Sequence, residues 1–154
     1  MRLHTAKMKN TNRSTTNQPD NKQPNAKQLD IKRILIVDDA ESIQKVVGLS
    51  LKIEASWESV TASSGAEGIR QAERYQPDAI LLDVMMPKMD GFSTFSALKN
   101  NPKTRSIPVI LLTAKTESSQ KRLFQEIGIA GVITKPFIPL ALASKIAQML
   151  DWSL

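Results

Sequence analysis

A chain of 154 residues with 41% hydrophobic content can bury one ordinary core and is too short for two comfortable ones. It has no cysteine, which excludes disulfides and thiolate metal sites; no apolar run nears the roughly 18 residues of a membrane span, and the N-terminus lacks the apolar stretch of a signal peptide, so a cytoplasmic location is expected. The net charge of +6 is concentrated in residues 1–30, where six Lys/Arg against two Asp give +4; the other 15 basic and 13 acidic residues leave +2, so the globular part offers no basic face for nucleic acid.

Residues 1–30 are rich in Asn, Gln, Thr and Lys, and their few apolar residues show no period. Such a segment cannot offset its ordering entropy and is predicted to be a disordered, basic, polar tail. His4 within it reads as a solvated side chain. The first strand is predicted over 33–37 and empties into Asp38-Asp39. Ile43, Val46, Val47 and Leu51 then recur at helical spacing over 41–53, with Glu41 in the first turn, where a negative charge suits the helix dipole. A second strand is predicted over 57–61. Ser63-Ser64 can cap a helix over 65–75 whose apolar face holds Ala66, Ile69 and Ala72, and Pro77 follows its end.

The third strand, 79–82, delivers Asp83 into a turn punctuated by Pro87 and Asp90-Gly91. A helix over about 92–100 uses Phe92, Phe95 and Leu98. The fourth strand, 109–112, ends at Thr113. A helix over about 117–127 is predicted to bury Leu123, Phe124 and Ile127. The fifth strand, 131–134, ends at Lys135-Pro136, and a last helix over 139–150 repeats Leu140, Ala143, Ile146, Ala147 and Leu150. Phe92, Phe95 and Phe124 read as core, not as a platform for bases.

Five strands alternate with five helices across short loops, and most of the strands are apolar throughout. That pattern is an α/β fold with a parallel sheet covered on both faces. A strand order of 2-1-3-4-5 places strands one and three side by side at the topological switch point, where ligands of open sheets bind. Asp38, Asp39 and Asp83 then meet at one edge. Any one of them alone would be read as a solvated turn or cap; together they repel. Either a raised pKa or a bound cation relieves that repulsion. Mg²⁺ suits a small all-oxygen site, and Lys135 adds a further positive charge, so that three negatives face a dication and an ammonium. There is no Walker loop and no His or Cys base at the strand ends. A carboxylate can instead take a phosphoryl group as an aspartyl phosphate, with metal and lysine offsetting the charge of the transferring group. Thr113 can donate a hydrogen bond to the product.

Ile36-Val37-Asp38-Asp39, Leu82-Asp83-Val84-Met85-Met86-Pro87, Met89-Asp90-Gly91, Leu112-Thr113-Ala114 and Thr134-Lys135-Pro136-Phe137 occur in this order and spacing. On these motifs the chain resembles a bacterial two-component response-regulator receiver domain of the chemotaxis-regulator class, over residues 31–151, with 152–154 as a C-terminal end. The resemblance implies a flavodoxin-like, doubly wound, five-stranded sheet. It implies that Asp83 is the phosphoacceptor, that Asp38, Asp39, Asp83 and the Met85 backbone carbonyl hold Mg²⁺, that Thr113 and Lys135 bind the phosphoryl group, and that the bond into Pro136 is cis. The chain departs from the family at Val132, which stands where a switch aromatic is usual. Met85 and Lys115 occupy positions that tune phosphoryl loss in the family, and their bulk points to a long-lived phosphoryl group.

With about three residues after the last helix, the chain reads as a single-domain receiver that catalyses only its own phosphorylation and dephosphorylation. The expected partners are a sensor histidine kinase or phosphotransfer protein and a downstream target protein, the latter meeting the fourth helix, fifth strand and fifth helix. The chain itself is expected to be a monomer or weak homodimer without direct nucleic-acid or membrane contact. Two rival readings stand beside this one. A docking module that no longer cycles phosphate would not need the acidic trio. A phosphatase of the aspartyl-phosphate type would need a second Asp at Met85. Trp152 could cover the core edge or serve a partner surface. Gly65-Ala66-Glu67-Gly68 resembles an RNA-binding glycine loop, but its Glu would repel phosphate.

Overall fold

The computed structural model describes residues 30–114 and 118–154, of which 118–121 by backbone alone. The expected tail, with His4, and the residue Lys115 therefore lie outside the described residues, apart from Asp30. In chain order the elements are β1 (Arg33–Val37), α1 (Glu41–Ala55), β2 (Glu58–Ala62), α2 (Gly65–Tyr75), β3 (Ala79–Asp83), α3 (Gly91–Asn100), β4 (Val109–Thr113), α4 (Ser118–Glu126), β5 (Gly131–Thr134), a 3₁₀ turn (Pro139–Ala141) and α5 (Leu142–Leu150). The five strands form one sheet in the order β2-β1-β3-β4-β5, and every neighbouring pair is parallel.

The apolar strands serve two cores at once, because successive side chains point to opposite faces. Ile34, Ile36, Leu81, Ile110, Leu112 and Ile133 pack with Val47 and Leu51 of α1 and Ile146 of α5. Leu35, Val37, Ile80, Leu82, Val109 and Leu111 pack on the other face with Ala72, Phe95, Leu98 and Phe124. The central strands β3 and β4 are buried at every residue, whereas the edge strand β2 is mostly exposed. Burial on both faces is what makes the central strands apolar throughout.

Several boundaries and faces differ from those predicted. Helix α1 runs to Ala55 and closes through Ser56, a non-glycine residue at φ 57°. The Ser56 amide donates to the Lys52 carbonyl (3.0 Å) and that of Trp57 to Leu51 (3.3 Å). Trp57 thus belongs to the helix closure, and β2 starts one residue later than predicted. Pro139 opens a 3₁₀ turn, so α5 begins only at Leu142 and Leu140 is exposed. On α4 Phe124 is buried but Leu123 is exposed, as is Ile127 just past the helix end; Leu123 sits about 100° around the helix from Phe124, off the side that meets the sheet. On α2 the buried face is Gly65, Gly68 and Ala72, and Ala66 points outward. Val46 and Phe92 are likewise surface residues, Phe92 lying against Phe124 with ring centroids 5.6 Å apart. Trp152 meets Trp57 edge-on at 5.5 Å and Lys32 lies 4.7 Å from its ring centre, so it covers the core edge.

Candidate functional site at the carboxyl ends of β1, β3, β4 and β5

Strand β1 ends where Asp38 turns into the loop before α1. Its amide donates to the Ala62 carbonyl (3.1 Å), which ties the strand end to β2. Its Oδ1 accepts from the Ala40 amide at 2.9 Å and its Oδ2 from Lys135 Nζ at 3.0 Å. A carboxylate that is 1% exposed has both oxygens satisfied in this way, as burial of a charge requires. Asp39, the next residue, is exposed.

Asp83 is the last residue of β3, and its carboxylate is buried beside the first. Its Oδ1 accepts from the Met85 amide at 3.2 Å and lies 3.5 Å from Lys135 Nζ. The loop returns over the strand end, where the Gly91 amide donates to the Val84 carbonyl at 3.0 Å. A Cβ at Gly91 would stand 2.5 Å from the Asp83 carbonyl oxygen and 2.7 Å from Val84 Cα. Glycine is therefore what lets α3 start this close to the acidic residue. Asp90 caps the helix by accepting from the Ser93 amide at 2.7 Å.

Strands β4 and β5 complete the site. Thr113 is buried, and its carbonyl accepts from the Lys135 amide at 2.8 Å. Thr113 stands opposite Thr134 in the sheet register. The Lys135–Pro136 bond is cis. Lys135 thus enters the site from β5 and reaches both Asp38 and Asp83.

The sequence-predicted residues converge. One carboxylate oxygen from each of Asp38, Asp39 and Asp83 lies within 4.8 Å of the others. Burial is the main cause that pushes the Asp83 carboxyl above its ordinary value, and the charge of Asp38 pushes it further. The Met85 amide and Lys135 oppose that rise without cancelling it. Three carboxylates facing one ammonium form a site short of positive charge, made of hard oxygen donors. That donor set fits a small divalent cation. The Met85 amide places its backbone beside Asp83, while its side chain is exposed to solvent. Val132 is half-buried and borders a cavity of about 170 Å³ together with Phe124 and Ile129, on the flank of β5 away from the acidic residues.

One residue near the site was not singled out from the sequence. Gln44 lies on the inward face of α1, and its amide reaches the Asp38 carbonyl at 2.7 Å. The signal was a polar residue in register with Val47 and Leu51, at a position otherwise facing the core.

The chain is similar to known proteins over most of its length. The family described as "Response regulator receiver domain" matches residues 34–147. The chain is 38% identical over 119 residues to the alkaline phosphatase synthesis transcriptional regulatory protein PhoP of Bacillus subtilis, covering 77% of this chain and 48% of that protein. It is 38% identical over 122 residues to the response regulator PleD of Caulobacter vibrioides, covering 79% of this chain and 27% of that protein. The chain therefore spans half or less of the length of these relatives. Among solved structures, the chemotaxis protein CheY4 of Vibrio cholerae matches with a TM-score of 0.71 at 31% identity, covering 77% of this chain and 98% of that one.

Proposed function

The chain belongs to the response regulator receiver domain family, and on that premise we propose that Asp83 accepts a phosphoryl group from a histidine kinase or phosphotransfer protein in a Mg²⁺-dependent reaction. Receiver domains are signalling modules of two-component systems, and the chemistry proposed here is confined to the protein's own phosphorylation and dephosphorylation. The observation that carries the proposal is the placement of Asp83: a buried carboxylate beside a lysine and two further carboxylates.

In the proposed step an Asp83 carboxylate oxygen attacks phosphorus, an O–P bond forms, and the P–N bond to the kinase imidazole breaks, with the electron pair leaving on nitrogen. Asp38, Asp39, Asp83 and the Met85 carbonyl would hold Mg²⁺, which supplies positive charge to the acidic cluster and the incoming phosphoryl oxygens. Lys135, already within 3.5 Å of Asp83, offsets charge on the transferring group. The Thr113 hydroxyl would bond the phosphoryl oxygen at the end of β4. Loss of the phosphoryl group needs water at the same face, and the bulky side chain of Met85, two residues beyond Asp83 and exposed to solvent, would hinder that water.

The output follows from the same arrangement. Occupation of the site by a phosphoryl group would draw on Thr113, which ends β4, and Lys135, which follows β5, and so bias the segment from β4 through α4. Val132 replaces the aromatic of the family pattern, so transmission would run through backbone and helix displacement. Exposed Leu123 on α4 and Ile127 just after it give the face formed with β5 and α5 an apolar character suited to a protein target. The protein would act as a monomer or weak homodimer in the cytoplasm, on proteins and not directly on nucleic acid. Among the described residues no helix is long and apolar enough to cross a membrane.

Incubation with Mg²⁺ and acetyl phosphate, followed by intact-mass measurement, tests the proposal. The wild-type chain should gain one phosphoryl group and Asp83→Asn none. A wild-type chain that gains no mass would favour a docking module that does not cycle phosphate.

A further inference from the structure

The Gln44 side chain is 8% exposed, and its Nε2 faces three oxygens: the Asp38 carbonyl at 2.7 Å, Ser63 Oγ at 3.0 Å and the Ala62 carbonyl at 3.3 Å. An amide has two hydrogens to give, so the two nearer oxygens are served directly and the third shares. The Asp38 carbonyl lies in the peptide plane that joins Asp38 to Asp39. Holding that oxygen stops the plane from rotating, which sets the direction in which Asp39 leaves the strand. Asp38 is also held at its amide, its Oδ1 and its Oδ2. Asp39 is exposed, so its backbone decides where its carboxylate can reach. The Ser63 contact carries the hold onward: the Ser63 amide donates to Glu67 Oε2 (3.0 Å), and Ser64 caps α2 through the Glu67 amide (3.1 Å).

We propose that Gln44 is a positioning residue for the acidic cluster: by fixing the Asp38–Asp39 peptide it brings the Asp39 carboxylate to those of Asp38 and Asp83 and raises the affinity of the site for Mg²⁺. The inference rests on the reading of that cluster as a Mg²⁺ site. A glutamine that merely filled the α1 interface would affect stability and leave the metal affinity of the folded protein unchanged. Residues that orient metal ligands typically change affinity by about 10–100-fold when altered.

Calorimetric titration of Mg²⁺ into the full chain separates these roles, using wild type, Gln44→Met, Asp39→Asn and the double variant. Gln44→Met should weaken Mg²⁺ binding by about tenfold in the wild-type background. In the Asp39→Asn background the same change should have little further effect, because the ligand being positioned is gone. Should Gln44→Met fail to fold, Gln44→Asn takes its place; its amide is one methylene short of the Asp38 carbonyl, and the same loss is expected. Undiminished affinity in the folded variant, or equal losses in both backgrounds, would overturn the inference while leaving the metal site standing. A wild-type chain that binds no Mg²⁺ would overturn the metal reading and this inference with it.

Discussion

At the scale of single residues the site is a compromise between burial and charge. Asp38 is nearly inaccessible, yet its oxygens are taken up by the Ala40 amide and Lys135. Asp83 carries the cost: burial raises its carboxyl above the ordinary value. A carboxyl whose folded pKa exceeds its unfolded one destabilises the fold when ionised. That penalty is full above the folded pKa and fades as pH falls through it toward the unfolded value near 3.8. Asp83→Asn should therefore raise the melting temperature in metal-free buffer at pH 7, and the gain should vanish near pH 3.8. A lower midpoint at pH 7, measured by thermal denaturation, would contradict that account. Asp39 is exposed, so its removal should weaken metal binding without a comparable gain in stability.

At the scale of elements, the loop from Asp83 to α3 depends on close approach. Gly91→Ala puts a methyl group against the Asp83 carbonyl and Val84 Cα, both backbone atoms that cannot swing aside. The change should cost about 1–3 kcal/mol in urea denaturation; a loss under ~0.5 kcal/mol would show that the loop gives way easily. Such a position is legible in the sequence only as an Asp-Gly pair, which marks a turn but not what presses on it. The strands were legible for a plainer reason. Runs such as Ala79–Leu82 and Val109–Leu112 are apolar on both faces, and the polar residues at their ends fell together once the strand order was set. Helix faces were less legible where apolar residues are adjacent. In Leu123-Phe124 the sequence cannot say which side chain meets the sheet, and only Phe124 does. Gln44 escaped notice because its role lies in bonds to backbone oxygens at positions 38 and 62, which no side-chain motif announces. The meeting of Asp38 and Lys135 at the strand ends was legible through their place in the motifs, while their direct ion pair is seen only in the structure.

At the scale of the whole molecule, the sheet separates two regions. The acidic cluster sits at the carboxyl ends of the strands, and the pair Trp57 and Trp152 closes the α1 and α5 side near the start of β1, with Lys32 stacked on the second ring. Trp152→Ala should lower stability by about 2 kcal/mol through lost aromatic packing, seen as an earlier urea transition in Trp57 fluorescence. Phosphorylation of the folded variant should be unchanged, since the acidic residues do not touch that pair; a loss would show that the two ends are coupled. Signalling by this chain would depend above all on a covalent change at the buried carboxylate that ends β3. Borohydride reduction of the phosphorylated chain converts an aspartyl phosphate to homoserine, which tandem mass spectrometry can place in the sequence. Homoserine at position 83, formed only when Mg²⁺ is present, is the expected result; homoserine at position 38 or 39, or at none, would contradict the account.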